Sequence, residues 1–454
     1  MRTNPMLIFI SIVMTLTMVF FFYFRFFLAV LFIICIIFIS LPFLDNNQTV
    51  ILYETSFDNV SVQRDIHSGD VSRSSHLVQT NTQANIFTND IEASKPSICT
   101  RPKTNIAFLK VHKAGSTTVM NIFLRFGDSH SLNIVLPKTT KQSTFNYLGY
   151  GKSIQKDRIN RIPGNETYSI LCNHVVYNKT VFQDVLGPNA IHIAIIREPF
   201  THFLSAASYY GLIKKMRKRL GIKIDDQRLI SSYLMSPSVF GNYHHTHNGM
   251  FADFGLPSNQ YYNETAINNY ILDLDKDFAL VMLTEYFEES LVLMKRILCW
   301  DLKDILFVPL NINKKKQKHP INLSEQDKRN LFKYNYADFK LYFFFREKLF
   351  RQIKDAGADF QPEVKHLKNM HLSVKKYCYQ NQLKKFSGSV VLTMKASPWN
   401  KEFTITPDDC KFMMSSELPL LKQLMSKAEK RYNTWWTNTH ANNHTSLPKR
   451  NKIA

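Results

Sequence analysis

Cysteine is sparse. Six in 454 residues are too few for the disulfide-dense scaffold of a small secreted domain. Glycine and proline are also scarce, at 14 and 17, which excludes collagen-like and proline-rich architectures. Acidic residues are in short supply beside basic ones: 36 Asp and Glu stand against 57 Lys and Arg, a formal net charge of +21. That excess predicts an anionic partner, and nucleic acid, membrane, acidic glycan and a phosphorylated cofactor all satisfy it. Apolar content is not lacking. Hydrophobic residues at 45% and charged residues at 20% exclude wholesale disorder, and the length suits a catalytic domain with accessory segments.

Residues 1–44 are apolar almost throughout. Met6–Phe24 and Phe26–Leu44, separated by Arg25, each match the ~20 residues that cross a bilayer. The run is longer than a signal-peptide core and no small-residue cleavage site follows promptly. It predicts an uncleaved signal anchor with its C-terminal side outside the cytosol. A two-helix hairpin, or a start at Met18 with Arg25 as the cytoplasmic positive flank, are the alternatives. Sequons at Asn47, Asn59, Asn165, Asn178, Asn263, Asn322 and Asn443 fit a lumenal chain after Leu44. Cys99, Cys172, Cys299, Cys378 and Cys410 would then meet an oxidising compartment, and an odd number leaves at least one without an intrachain partner.

Residues 45–103 are polar and slightly acidic, and read as a stem. The basic excess therefore belongs to the chain beyond residue 103. From Asn105 short apolar runs alternate with amphipathic stretches. Asn105–Lys110, Ser169–Cys172, Ile191–Ile196 and Phe278–Leu283 are predicted strands; Ser116–Phe126, Pro199–Tyr209, Tyr286–Cys299 and Ser324–Asn335 are predicted helices. Alternation of this kind predicts an α/β fold, a parallel sheet with flanking helices. The rhythm weakens after about Gln361. The expected division is therefore an anchor at 1–44, a stem at 45–103, a catalytic domain at 104–365 and a looser extension at 366–454.

Phe108-Leu-Lys-Val-His-Lys-Ala-Gly-Ser-Thr-Thr118 is the most informative stretch. A strand runs through Lys113-Ala114-Gly115-Ser116-Thr117-Thr118 into a helix. Gly115 lets backbone approach a ligand, and the helix N-terminus presents N–H groups and partial positive charge. Lys113 adds a cation, and Ser116, Thr117 and Thr118 add hydroxyls. The set cradles a phosphate-like anion. It is not a Walker A loop, because Lys113 precedes Gly115 instead of following a second glycine. A second anion site is expected where Ile191–Ile196 ends in Arg197-Glu-Pro199, with Arg197 at a C-terminal strand edge and Ser205 two turns along. Two such cradles suit one ligand with two separated anionic groups. Alone, Arg197 would pair with Glu198.

Together these segments resemble the sulfotransferases that use 3′-phosphoadenosine 5′-phosphosulfate (PAPS). The Lys-x-Gly-Ser-Thr-Thr stretch is similar to their P-loop-like phosphosulfate loop, and the spacing from Arg197 to Ser205 to their 3′-phosphate site. More narrowly, Phe108–Gly127, Leu171-Cys-Asn-His-Val-Val-Tyr-Asn178 and Thr284-Glu-Tyr-Phe-Glu-Glu-Ser-Leu-Val-Leu…Leu298-Cys-Trp-Asp301 look like the galactose-3-O-sulfotransferase family. The resemblance runs from about Asn105 to Ile353. It implies a single-pass type II Golgi membrane enzyme with a lumenal catalytic domain, PAPS as sulfuryl donor, no metal, and a β-galactoside on glycolipid or glycoprotein glycan as acceptor.

By that resemblance Lys113 faces the leaving oxygen, Ser116, Thr117, Thr118 and the amides of Ala114 and Gly115 hold the 5′-phosphate, and Arg197 and Ser205 hold the 3′-phosphate. His174, after a short buried strand, is the first choice of base. His112 adjoins Lys113 and is expected to be essential in a role left open. A hexuronate 2-O-sulfotransferase is the substrate-level alternative. A lumenal glycosyltransferase would use Asp273-Leu-Asp275 or Asp275-Lys-Asp277 as a metal–nucleotide motif, and an inactive glycan-binding membrane protein is a third reading. The basic runs Lys214–Arg219 and Lys314–Lys318 suggest solvated surface, an anionic acceptor or a membrane. No recognition motif accompanies the charge, so nucleic acid is not an expected partner. His244, His245 and His247 lack metal-ligand partners at convincing spacing and are expected to form a loop near the acceptor groove. Trp435 and Trp436 are expected to pack peripherally.

Overall fold

The computed structural model describes residues 99–138, 147–149, 151–221, 224–241, 243–309 and 321–440. The expected span within 1–44, nearly all of the stem, the sequons at Asn47, Asn59 and Asn443, and the Lys314–Lys318 run lie outside these residues. Among the described residues no helix is long and apolar enough to cross a membrane.

Among the described residues, four parallel strands carry the fold: β1 (Ile106–Leu109), β2 (Ile170–Leu171), β3 (Ile191–Ile196) and β4 (Phe278–Leu283). Their spatial order is β2-β1-β3-β4. All four runs are nearly continuous in apolar residues, as strands covered by helices on both faces require. From β1 the chain steps to β2 on one side, then crosses back to β3 on the other. The order thus reverses between β1 and β3, and α/β sheets open a ligand crevice at the carboxyl ends of such strands.

The helix Ser116–Ser129 follows β1 and buries Val119, Met120, Ile122, Phe123, Leu124 and Phe126. Phe123 packs on Phe108 with ring centroids 5.1 Å apart, and Phe126 stacks on Trp300 at 3.7 Å. Trp300 Nε1 donates to Lys103 O at 3.0 Å, which satisfies its buried N–H. Phe126→Ala would leave a hole against Trp300 and is expected to lower stability by ~3–5 kcal/mol. The shift of the denaturant midpoint, with its slope unchanged, measures it.

The described chain after 365, to residue 440, is structured. The helix Phe360–Leu383, the hairpin β5 (Leu392–Met394) with β6 (Phe403–Ile405), and the helices Pro407–Met413 and Glu417–His440 occupy it. The boundary expected at 365/366 falls inside the first of these helices. Buried Glu363 accepts Lys295 Nζ at 2.9 Å and Arg296 Nε at 2.7 Å, which ties that helix to Phe287–Leu298. The weak rhythm seen in the sequence reflects long helices with narrow apolar stripes, such as Leu420, Leu421, Leu424 and Met425. Cys99–Cys299 and Cys378–Cys410 are disulfides, and Cys172 is a buried free thiol. That accounts for the odd count in this region.

A second apolar cluster joins Phe203, Leu212, Met216, Leu229, Ile230, Tyr233 and Leu331. It supports the basic helix Leu212–Leu220, which buries only Leu212 and Met216. Arg217 of that helix pairs with Asp226, and Arg219 Nη1 donates to Phe240 O at 2.9 Å. Lys214 and Lys218 are exposed.

Candidate active site

The loop from β1 to the helix Ser116–Ser129 turns through two residues with positive φ, Lys113 (60°) and Gly115 (74°). Gly115 adopts that conformation without the penalty a Cβ would bring; Lys113 bears the cost, a pattern common where backbone is shaped for function. Ser116 Oγ donates to Val111 O at 2.6 Å, and Thr117 Oγ1 to Glu417 Oε2 at 3.4 Å. Two of the three hydroxyls expected to face a ligand therefore point their protons into the protein. Thr284, at the end of β4, joins the two edges: its Oγ1 lies 2.8 Å from Ala114 O and 3.0 Å from Ile196 O.

At the end of β3, Glu198 caps the helix Pro199–Tyr209, its carboxylate accepting Phe200 N at 2.9 Å and Thr201 N at 2.8 Å. It does not pair with Arg197, whose Nε donates to Thr201 Oγ1 at 3.0 Å. Ser205 is half-buried on the same helix. Lys113 Nζ sits 3.7 Å above the ring of exposed Tyr209. Burial, then the nearby Arg197 charge, push the Lys113 pKa down. Among the described residues neither Lys113 nor Arg197 makes an ion pair. Two cations thus stand at the strand-order reversal without an ion pair among the described residues, an arrangement able to attract an anion.

Beside them the structure brings His112 and His174 together, their rings stacked at 4.0 Å, and gives the two rings different partners. His174 Nδ1 donates to Lys110 O at 3.0 Å. Burial, then the Lys110 charge, hold its pKa well below the ordinary value. His112 instead meets a carboxylate: Nδ1 lies 2.9 and 2.8 Å from the two oxygens of Asp253, and the His112 amide donates to Asp253 Oδ2 at 2.7 Å. The pair fixes the tautomer with Nδ1 protonated and leaves Nε2 facing Tyr147 OH at 3.3 Å. Asp253 and Tyr147 have no motif around them that marks them in sequence. Thr284 does, as the first residue of the Thr-Glu-Tyr-Phe block.

His245 stacks on Tyr210 at 3.9 Å and lies 5.1 Å from His112, so that loop does border the site. His247 turns away to stack on Tyr334 at 4.2 Å. Asp273, Asp275 and Asp277 belong to the helix Glu264–Asp277 and pair with Lys276, Lys348 and Lys179 respectively. They do not form a loop able to present a metal. Trp435 and Trp436 lie half-buried near the end of the last helix, with His440 stacked on Trp436 at 3.8 Å.

His202 is also fully buried, donating Nε2–H to His112 O at 2.9 Å, and burial pushes its pKa down to about 4. Both His202 and His174 therefore stay neutral while the same groups in the unfolded chain titrate near 6.5. Below that value the unfolded chain binds more protons, so stability falls with pH by ~1.4 kcal/mol per histidine per unit. Denaturant midpoints measured downward from about pH 7 check the slope.

Residues 60–407 match the model of the Galactose-3-O-sulfotransferase family. The chain belongs to the galactose-3-O-sulfotransferase family. It is 30% identical over 286 residues to a galactosylceramide sulfotransferase of Mus musculus, covering 61% of this chain and 64% of that protein. A Homo sapiens galactose-3-O-sulfotransferase 2 is 28% identical over 291 residues, covering 62% and 69%. The chain thus matches slightly less than two thirds of the length of the galactosylceramide sulfotransferase. The family and these relatives are carbohydrate sulfotransferases. Lys113, His112, His174, Arg197 and Asp253 all fall within the family-matched span, and the helix Glu417–His440 lies beyond it.

Proposed function

We propose that this galactose-3-O-sulfotransferase family member transfers a sulfuryl group from PAPS to the 3-hydroxyl of a terminal β-galactose on a glycolipid or glycoprotein glycan. The observation that carries the reading is the pair of cations without ion-pair partners, Lys113 and Arg197, at the strand-order reversal beside the His112–Asp253 pair. The residues fit a donor with two separated anionic groups: Arg197 and Ser205 would hold the 3′-phosphate, and Lys113, Thr118 and the loop amides the 5′-phosphate.

When bound, the donor supplies a sulfur whose bond to the 5′-phosphate oxygen breaks as the acceptor oxygen bonds to it, the electron pair leaving on the phosphate. His112 Nε2 takes the proton of the acceptor hydroxyl. Asp253 holds the ring in place and puts a carboxylate where the imidazole gains positive charge. Lys113 faces the charge that develops on the leaving oxygen, and positioning with electrostatic stabilisation supplies the catalysis. His174 acts here as the stacked neighbour that orients His112. We further propose a lumenal Golgi domain on the N-terminal anchor; in support, Asn165, Asn178, Asn263 and Asn322 are all exposed.

The test is transfer from labelled PAPS to a panel containing galactosylceramide, lactose-type disaccharides, a 3-O-blocked galactoside and desulfated heparan. Label on galactosides and none on the blocked control is expected. Label on heparan alone would replace the galactoside reading with the hexuronate one. Absence of PAPS binding by folded protein would overturn both.

A further inference from the structure

The least expected neighbour of the phosphate loop is a carboxylate from the far end of the chain. Glu417 opens the helix Glu417–His440 and stands 307 positions from Lys110. Its Oε1 accepts Lys110 Nζ at 2.6 Å, and its Oε2 accepts Thr117 Oγ1 at 3.4 Å. The Lys110 side chain is 1% exposed and that of Glu417 16%. Sulfuryl transfer as proposed uses neither side chain, and Glu417 lies outside the family-matched residues, which end at 407.

A buried ammonium keeps its charge only beside a partner, and removing one member of a buried pair leaves the other uncompensated. Lys110 directly follows β1, precedes His112 and Lys113, and offers its carbonyl to His174 Nδ1 at 3.0 Å. Burial pushes the Lys110 pKa down and the Glu417 charge pushes it back. Thr117 stands in the first turn of the helix that receives the loop. One carboxylate therefore grips the loop on both sides of Lys113 and Gly115.

We propose that Glu417 is a positioning residue for the phosphate loop: its carboxylate holds the Lys110 ammonium and the Thr117 hydroxyl, and so keeps the loop in its anion-binding shape. The proposal rests on the donor-site reading of that loop. The helix has other anchors, in buried Leu420, Leu421, Leu424 and Met425, Lys427 on Asp128 at 2.5 Å, and Arg431 on Glu166 with two contacts of 2.8 Å. With these anchors it is expected to stay docked when Glu417 changes, which confines the effect to the loop.

The experiment compares the full chain with its Glu417→Gln variant, which keeps shape and removes charge. Amide hydrogen exchange at residues 113–118 is expected to quicken about tenfold, an opening easier by ~1.4 kcal/mol, while β3 exchanges as before. The affinity for adenosine 3′,5′-bisphosphate should fall about tenfold and the KM for donor rise in step, with the KM for acceptor unmoved. Lys110→Met combined with Glu417→Leu removes both contacts, so exchange at 113–118 should be at least as fast as in Glu417→Gln. Unchanged exchange at 113–118, a double variant protected as well as the unaltered chain, or equal loosening by Lys427→Ala on the same helix each overturn the proposal. Failure of the unaltered chain to bind the bisphosphate would instead overturn the donor-site reading, and the exchange comparison would still decide the role of Glu417.

Discussion

Replacing His112 with alanine is expected to lower turnover by ~10²–10⁴-fold, the range that removal of a general base costs, while adenosine 3′,5′-bisphosphate still binds. His174→Ala should cost less than the lower end of that range. The two rings are stacked 4.0 Å apart, so proximity does not separate them; their hydrogen bonds do. His174 gives its Nδ1 proton to a backbone carbonyl and is held neutral by burial and the Lys110 charge, which makes it a poor proton acceptor. His112 gives its Nδ1 proton to Asp253, an acceptor that becomes more favourable as the ring gains charge. Asp253→Asn should therefore reduce turnover as well, because an amide can turn its NH₂ toward Nδ1 and select the wrong tautomer. Single-turnover rates at saturating donor, with bisphosphate affinity measured alongside, distinguish loss of a base from loss of the site. A His174→Ala rate lower than that of His112→Ala would return the base to His174.

The sequence favours His174 as base and the proposal favours His112, and the difference comes from contacts distant along the chain. The strands are legible because their apolar runs are continuous: Ile191–Ile196 and Phe278–Leu283 are observed with the expected limits. The two loops proposed to bind the donor stand out in sequence because each lies within a few residues of its strand. The carboxylates that meet His112 and the loop come from far away. Asp253 stands 141 positions from His112 inside an apolar stretch with no acidic pattern. Glu417 is farther still, in a region whose polar composition masks a docked helix. The inward protons of Ser116 and Thr117 are equally invisible, since a hydroxyl in a Gly-Ser-Thr loop serves a ligand or its own loop with the same residue type. Glu198 illustrates the opposite case: a carboxylate next to Arg197 in sequence is engaged by the helix it caps.

The cations themselves should separate by the quantity they change. Lys113→Ala is expected to lower turnover by ~10²–10³-fold, because a preorganised charge aimed at the developing anion acts mainly in the transition state. Its ammonium rests on the Tyr209 ring, which holds it at the mouth of the loop, already partly desolvated and close to where that oxygen would sit. Arg197→Ala should act on binding instead. Its guanidinium makes no ion pair among the described residues and donates to Thr201, so loss of a charge-assisted contact worth ~1.5–3 kcal/mol is expected as a roughly 10- to 150-fold rise in the KM for donor, at near-normal turnover with donor in excess. Competition by adenosine 5′-phosphosulfate sharpens the assignment. That compound lacks the 3′-phosphate, so Arg197→Ala should leave its weak binding unchanged while Lys113→Ala weakens it. If Arg197→Ala impairs both compounds equally, the second cradle does not read the 3′-phosphate. The strand-order reversal would then hold a ligand with one anionic group rather than two.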